Sequence, residues 1–201
     1  MRQRPLMLVA LTFSMLMVPA AASAHEGQVI RLGSFLAGFT HPVLGLDHLL
    51  AMVSVGVVSA MIGGRAIWTV PATFVAMMAV GGILGSAQIG PGSTFVEIGI
   101  AISVLGLGIV IAADRNLPLG LAMVVVGFFG LLHGYAHGSE IPNIAEPVVY
   151  AGGFLSGTAI IHLVGVLIGD QARRYRRGRR VLRTLAVGIS AVGLMFLVGV
   201  L

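Results

Sequence analysis

The sequence has no cysteine and no lysine among its 201 residues, and only 9% of them are charged. The lack of cysteine excludes disulfides, thiolate metal sites and thiol nucleophiles, so a metal would be bound by histidine, carboxylate, methionine, backbone or the N-terminal amine. Such sparse charge beside 57% hydrophobic residues lies far outside the balance of soluble domains. We therefore expect an all-α integral membrane protein.

All twelve basic residues are arginine, and seven of them lie between positions 173 and 183. Arginines gathered between two apolar runs are typical of topology control and of contact with anionic headgroups, not of a nucleic-acid footprint. The sequence also lacks a P-loop, so we do not expect this chain to bind and hydrolyse ATP itself. The expected surroundings are a lipid bilayer, and no nucleic-acid partner is expected.

The first 24 residues have the features of an export signal. Arg2 and Arg4 precede an apolar stretch, and Ala22, Ser23 and Ala24 form the small-x-small pattern of a signal-peptidase site. We predict a cleaved signal peptide over 1–24 and a single membrane domain over 25–201. An uncleaved first membrane helix is the alternative.

Six further apolar segments follow, each near the roughly 20 residues that cross a bilayer as a helix. Their approximate ranges are 41–63, 66–88, 94–113, 117–136, 147–169 and 181–201. Cleavage places the mature N-terminus outside the cytoplasm, and the loops with Arg65, Arg115 and the 173–183 arginines then lie inside, as the positive-inside rule requires. We predict a bacterial inner-membrane protein with six spans and both mature termini in the periplasm.

The first predicted span carries polar residues inside the bilayer, where burial of a charged side chain is energetically unfavourable. A charged side chain at the bilayer centre costs at least about 2.5 to 3.5 kcal/mol, so these residues need partners or a function. On a continuous helix His41, His48 and Met52 share one face, whereas Asp47 is turned by about 100° from His48. Pro42 suits a first helical position and makes His41 an N-cap-like residue at the outer mouth. Asp47 is a metal ligand, a proton partner or the residue that orients His48.

The fourth predicted span ends in a row of polar residues on one face. His133, His137 and Glu140 follow each other at spacings of four and three, and two histidines at that spacing can share a metal. The glutamate of the HExxH protease motif is replaced by Gly134, so that motif is absent. Gly134 belongs instead to a row of glycines, with Gly130 and Gly138, that lets a neighbouring helix approach closely.

Three further candidates lie elsewhere in the chain. His162 is deep in the fifth span, and Thr158, four residues earlier, can hold one of its ring nitrogens. Glu97 lies near the outer end of the third span. The predicted mature terminus begins with His25, which can chelate a metal through its amine and ring together.

Histidines and carboxylates without thiolates suit borderline ions such as Ni²⁺, Co²⁺, Zn²⁺ or Cu²⁺, and suit Mg²⁺ or Ca²⁺ poorly. Ligands graded in depth are what a conduction path requires, because each position must both bind and release the ion. The candidate metal-handling residues are His41, Asp47, His48, His133, His137, Glu140 and His162, with His25, Met52 and Glu97 as additional candidates. The residues themselves point to a divalent metal in a membrane path.

Three segments resemble signatures of the HupE/UreJ family of bacterial nickel permeases, which accompany nickel hydrogenase and urease systems. They are HPVLGLDHLLAMVSVG, FFGLLHGYAHGSE and GTAIIHLVG, and the resemblance covers essentially the whole mature chain. It implies import of Ni²⁺ or Co²⁺ across the inner membrane as transported substrate, with no permanent cofactor and no enzymatic activity. It also implies metal-handling roles for the histidine, aspartate and glutamate residues of the first two segments.

Two other classes of protein remain compatible with the residues. An intramembrane zinc-dependent hydrolase can be built from histidines, a carboxylate and a water, although its ligands would lie at one depth. Paired histidines on facing helices can also bind haem.

Overall fold

A computed structural model describes residues 33–141 and 146–201 and is entirely helical over those residues. The predicted signal peptide over 1–24 and His25 lie outside the described residues. The helices in chain order are α1 (Ser34–Leu44), α2 (Leu46–Ile62), α3 (Ala66–Ser86), α4 (Ser93–Ala112), α5 (Leu119–Ser139), α6 (Pro147–Arg173) and α7 (Arg176–Leu197).

The helices α3 to α7 are each long and apolar enough to cross a membrane. The bent pair of α1 and α2 meets the same criterion when its two helices are taken together, which makes six spans if the pair counts as one broken span. These helices make the chain a multi-pass membrane protein. The bounds of α3 to α7 lie close to the sequence-based ranges, because each apolar run is closed by glycine, proline or charged residues.

The first predicted span differs from the structure. The range 41–63 is not one helix, since α1 and α2 meet at Gly45 with an angle of 84° between them. Gly45 adopts an extended conformation, and Pro42, which has no N–H to donate, lies inside the last turn of α1. His41 is therefore not the N-cap of the span, as predicted, but a residue of the preceding helix.

Helix α2 is the centre of the bundle. It is buried continuously from Leu49 to Met61 and contacts all six other described helices. A helix that is apolar all round is stable in such a position because every face has a protein neighbour. The polar residues at its start are thereby held inside the protein and away from lipid.

Rows of glycine allow the closest helix contacts. A Cβ atom at Gly134 would lie 2.7 Å from the Cα of Met78, and one at Gly138 would lie 2.8 Å from the Cα of Gly82. Helices α3 and α5 therefore touch along their backbones, as the glycine row predicts. Gly153 and Gly157 face α1 in the same way, and Gly165 and Gly169 face α2.

The two ends of the bundle differ in chemistry. At one end, which we call the arginine end, Arg173 donates hydrogen bonds to the last carbonyls of α2, those of Ala60 and Met61. Asp114 and Arg179 form an ion pair at the same end. The opposite end contains the start of α2 and the end of α5, and we call it the histidine end.

Candidate metal site

Four histidine rings from three helices meet at the histidine end, and we call them the histidine cluster: His41 of α1, His48 of α2, and His133 and His137 of α5. The ring centroid of His137 lies 4.9 Å from that of His41 and 4.2 Å from that of His48. The ring of His133 lies 5.0 Å from that of His48. Residues that are separated by up to 96 positions in the sequence thus form one continuous set of contacts.

The outer part of the cluster has the spacing of a metal site. His41, His137 and Glu140 each offer a ligand atom, and these atoms all lie within 4.8 Å of one another. Glu140 follows the last residue of α5 and is exposed, whereas His137 is buried. Burial of its carboxyl raises the pKa of Glu140 above the ordinary value, and the charge of Glu97 acts in the same direction.

Asp47 makes its contacts with the residue next to it. Its Oδ1 accepts a hydrogen bond from Nδ1 of His48 at 2.7 Å and another from the backbone N–H of His48 at 2.8 Å. The second bond satisfies one of the free N–H groups at the start of α2. Since the carboxylate only accepts, Nδ1 of His48 carries a proton, and in the neutral imidazole the lone pair is then on Nε2. Of the three roles considered for Asp47, the geometry fits the one that orients His48.

His133 is fixed in a similar way by its own helix. Its Nδ1 donates a hydrogen bond of 2.9 Å to the carbonyl of Phe129, one turn earlier. Its Nε2 is buried without a hydrogen-bond partner among the described residues, as is Nε2 of His48. Buried polar atoms are almost always paired in folded proteins, so two such nitrogens in one cluster suit a ligand that supplies the missing contact.

His162 lies apart from the histidine cluster. Its ring contacts Phe74 at a centroid distance of 4.9 Å, and Phe74 in turn lies 5.3 Å from His133. The fully buried Phe74 side chain thus contacts both His162 and a member of the cluster. The predicted hydrogen bond from Thr158 to His162 is wrong, because the Thr158 hydroxyl and both His162 ring nitrogens lack partners in the described structure.

Aromatic side chains form the walls of the cluster, and the sequence reasoning did not find them. Phe154 lies 4.4 Å from His137, Tyr150 lies 5.9 Å from His41, and Phe74 covers His133 from α3. A phenylalanine inside an apolar run carries no signal of its own in the sequence. The one hint for Phe74 is Gly130, whose missing side chain leaves room for the Phe74 backbone.

The additional candidates fall into different surroundings. Met52 is fully buried in the apolar core of the bundle. Glu97 is exposed at the histidine end, near enough to Glu140 to affect its titration.

Together these features define a multi-pass helical membrane protein with a buried histidine cluster at one end. The chain belongs to the HupE/UreJ family, since the family model described as HupE / UreJ protein matches residues 13–196. A curated relative, Protein HupE of Rhizobium leguminosarum bv. viciae, is 39% identical over 192 residues, which is 95% of this chain and 97% of the relative. No solved structure matches the chain significantly.

Proposed function

We propose that this protein is a permease that carries a divalent transition metal, Ni²⁺ or Co²⁺, into the cytoplasm. Membership of the HupE/UreJ family, which is associated with nickel and cobalt transport, supports the choice of metal. The ligand chemistry supports it too, because imidazoles and carboxylates without thiolates suit these borderline ions.

The series of histidines from the histidine end into the bundle is the observation that carries the proposal. Glu140 is exposed, His41 and His48 are half-buried, His133 in contact with His48 is fully buried, and Phe74 connects His133 to the buried His162. Burial increases along this series until His133 and His162 are essentially without solvent exposure. An ion moving inward through such a series exchanges water for imidazole ligands gradually, as a conducting path requires.

The chemistry of the two ends of the bundle supports the proposed orientation. The arginine end carries the basic residues from Arg173 to Arg183 and Asp114 with its partner Arg179. By the positive-inside rule that end faces the cytoplasm of a bacterial inner membrane, and the histidine end faces the periplasm. The C-terminal end of α7 then lies on the periplasmic side, and the metal enters from there.

The geometry favours transport over the two other classes. A hydrolase keeps its ligands around one catalytic water, whereas the ring contacts here continue from the outer group of His41, His137 and Glu140 to His48 and His133. Haem needs two imidazoles on opposite sides of a porphyrin plane. No such plane fits between the rings of His48 and His137, whose centroids are 4.2 Å apart.

Metal flux into sealed proteoliposomes tests the proposal. Purified protein is reconstituted around a metal-sensitive dye, and Ni²⁺, Co²⁺, Zn²⁺ and Cu²⁺ are added outside. We expect Ni²⁺ or Co²⁺ to enter, and we expect His48→Ala and His133→Ala to lose that flux. Asp170→Asn is the control, because its exposed carboxylate at the arginine end bonds Arg174 and no other residue within 33–141 and 146–201. Wild-type flux in both histidine variants would overturn the proposed path.

A further inference from the structure

His137 belongs to two groups of candidate ligands at once. With His41 and Glu140 it forms the group whose ligand atoms lie within 4.8 Å of one another, and we call this the outer position. With His48 and His133 it forms a second group, linked by ring distances of 4.2 and 5.0 Å, which we call the inner position. One imidazole thus lies where both groups meet.

The ring of His137 is held less firmly than the other two rings of the inner position. Nδ1 of His48 is bonded to Asp47 and Nδ1 of His133 is bonded to the Phe129 carbonyl, which fixes both rings. Both nitrogens of His137 are buried without a partner among the described residues. Its ring packs on Phe154 at 4.4 Å, an apolar contact with no directional bond. No hydrogen bond among the described residues therefore opposes a turn of this ring toward either position.

We propose that His137 is the shared ligand through which one ion passes from the outer position to the inner position. This inference rests on the proposed transport function. The ion enters bound to His41, His137 and Glu140, and then exchanges His41 and Glu140 for Nε2 of His48 and Nε2 of His133. It stays bound to His137 throughout, so it is never without an imidazole ligand while it loses its remaining water. The exchange makes and breaks only coordination bonds and requires no proton transfer.

A shared ligand makes the two positions mutually exclusive. A neutral imidazole has one lone pair for a metal, because its other nitrogen carries the proton. The wild-type protein is therefore expected to bind one Ni²⁺ per chain at saturation in isothermal titration calorimetry, with full-length protein in detergent. Two Ni²⁺ ions per chain, both lost on substitution of cluster residues, would overturn the proposal.

Paired substitutions separate the two positions. Glu140→Gln removes a ligand of the outer position and leaves the inner one intact, and His133→Ala does the reverse. His137→Asn is expected to weaken Ni²⁺ binding roughly 10- to 100-fold in both backgrounds, at least as much as loss of an outer-shell partner does. His48→Ala is expected to weaken binding only in the Glu140→Gln background, and His41→Ala only in the His133→Ala background.

The outcomes separate this inference from the transport proposal. The shared role would be overturned if His137→Asn weakened Ni²⁺ binding in only one of the two backgrounds. It would also be overturned if Glu140→Gln by itself abolished all Ni²⁺ binding. Either result would leave the transport proposal intact. The expected binding pattern without flux in proteoliposomes would instead overturn transport. Circular dichroism and size-exclusion chromatography of each variant report folding, and the wild-type stoichiometry tests the inference without any substitution.

Discussion

Asp47 holds His48 through two hydrogen bonds to one carboxylate oxygen, from the ring Nδ1 at 2.7 Å and from the backbone N–H at 2.8 Å. The pair fixes the tautomer of His48 and directs its Nε2 into the histidine cluster. A carboxylate in this arrangement is a common partner of metal-binding histidines, because it orients the ring and raises its basicity.

Removal of this carboxylate is expected to weaken metal binding without removing a ligand. In the Glu140→Gln background, which leaves only the inner position intact, we expect Asp47→Ala to lower Ni²⁺ affinity roughly 10- to 100-fold, as loss of an outer-shell partner typically does. Asp47→Asn is expected to lower it less, since its side-chain oxygen still accepts from Nδ1, and His48→Ala is expected to lower it most. Isothermal titration calorimetry on the purified variants measures this order.

Asp170→Ala and Asp170→Asn are the matched controls for these substitutions. Asp170 is an aspartate at the arginine end that is more exposed to solvent than Asp47, and its exposed pair with Arg174 is expected to have little effect. Asp47→Asn as damaging as His48→Ala would show that Asp47 is itself a ligand.

The sequence predicts most of the helices and all four members of the histidine cluster, but not the contacts among them. Helix periodicity determines which residues share a face of one helix, as for His133 and His137. It does not determine how a helix is rotated against its neighbours, so the meeting of His41 with His137 could not be predicted. The glycine rows indicated close contacts, and only the structure shows which helices make them.

The break between α1 and α2 is the feature that the sequence reasoning missed most clearly. Pro42 suggested the start of a helix, since proline is favoured there, but it lies in the last turn of α1 instead. The residues on either side of Gly45, Leu44 and Leu46, are apolar, and a single glycine is tolerated within a helix, so composition gives no boundary at this position. The bend changes the site, because it lets His41 and His48 reach the same ring of His137 from two different helices.

Gly45 is expected to be sensitive to a single methyl group. A Cβ atom there would lie 3.1 Å from Oδ1 of Asp47 and 3.1 Å from Nδ1 of His48, closer than ordinary van der Waals contact. Alanine can adopt the backbone conformation of Gly45, with φ −93° and ψ 118°. The added methyl group is therefore expected to displace the Asp47 and His48 side chains without changing the backbone. We expect Gly45→Ala to displace the pair and, in the Glu140→Gln background, to weaken Ni²⁺ binding by roughly tenfold.

The control for this substitution is Gly152→Ala, where a Cβ atom meets nothing within 4 Å. Calorimetric titration with Ni²⁺ compares the two variants, and circular dichroism checks that both remain helical. Equal affinities with and without Gly45→Ala in the Glu140→Gln background would contradict the prediction and would mean that the Asp47 and His48 pair tolerates the added methyl group.

Gly134 supports the cluster through the contact of α3 with α5. A Cβ atom at this position would lie 2.7 Å from the Cα of Met78, which is backbone and cannot turn aside as a side chain can. Gly134→Ala must push the two helices apart, and overpacking of this kind costs about 1 to 3 kcal/mol. The lost contact outweighs the gain in helix propensity, which favours alanine over glycine by up to about 1 kcal/mol. Because Gly134 lies directly after His133, we also expect weaker Ni²⁺ binding.

Gly120→Ala is the control on the same helix, since a Cβ atom there has open space around it. Thermal unfolding in detergent, followed by circular dichroism, is expected to give a lower midpoint for Gly134→Ala than for the wild type. The same measurement is expected to give an unchanged or higher midpoint for Gly120→Ala, because only the gain in helix propensity remains there. Equal midpoints for the two variants would show that α3 and α5 separate without loss of stability, and the backbone contact would then not be what holds His133 and His137 in place.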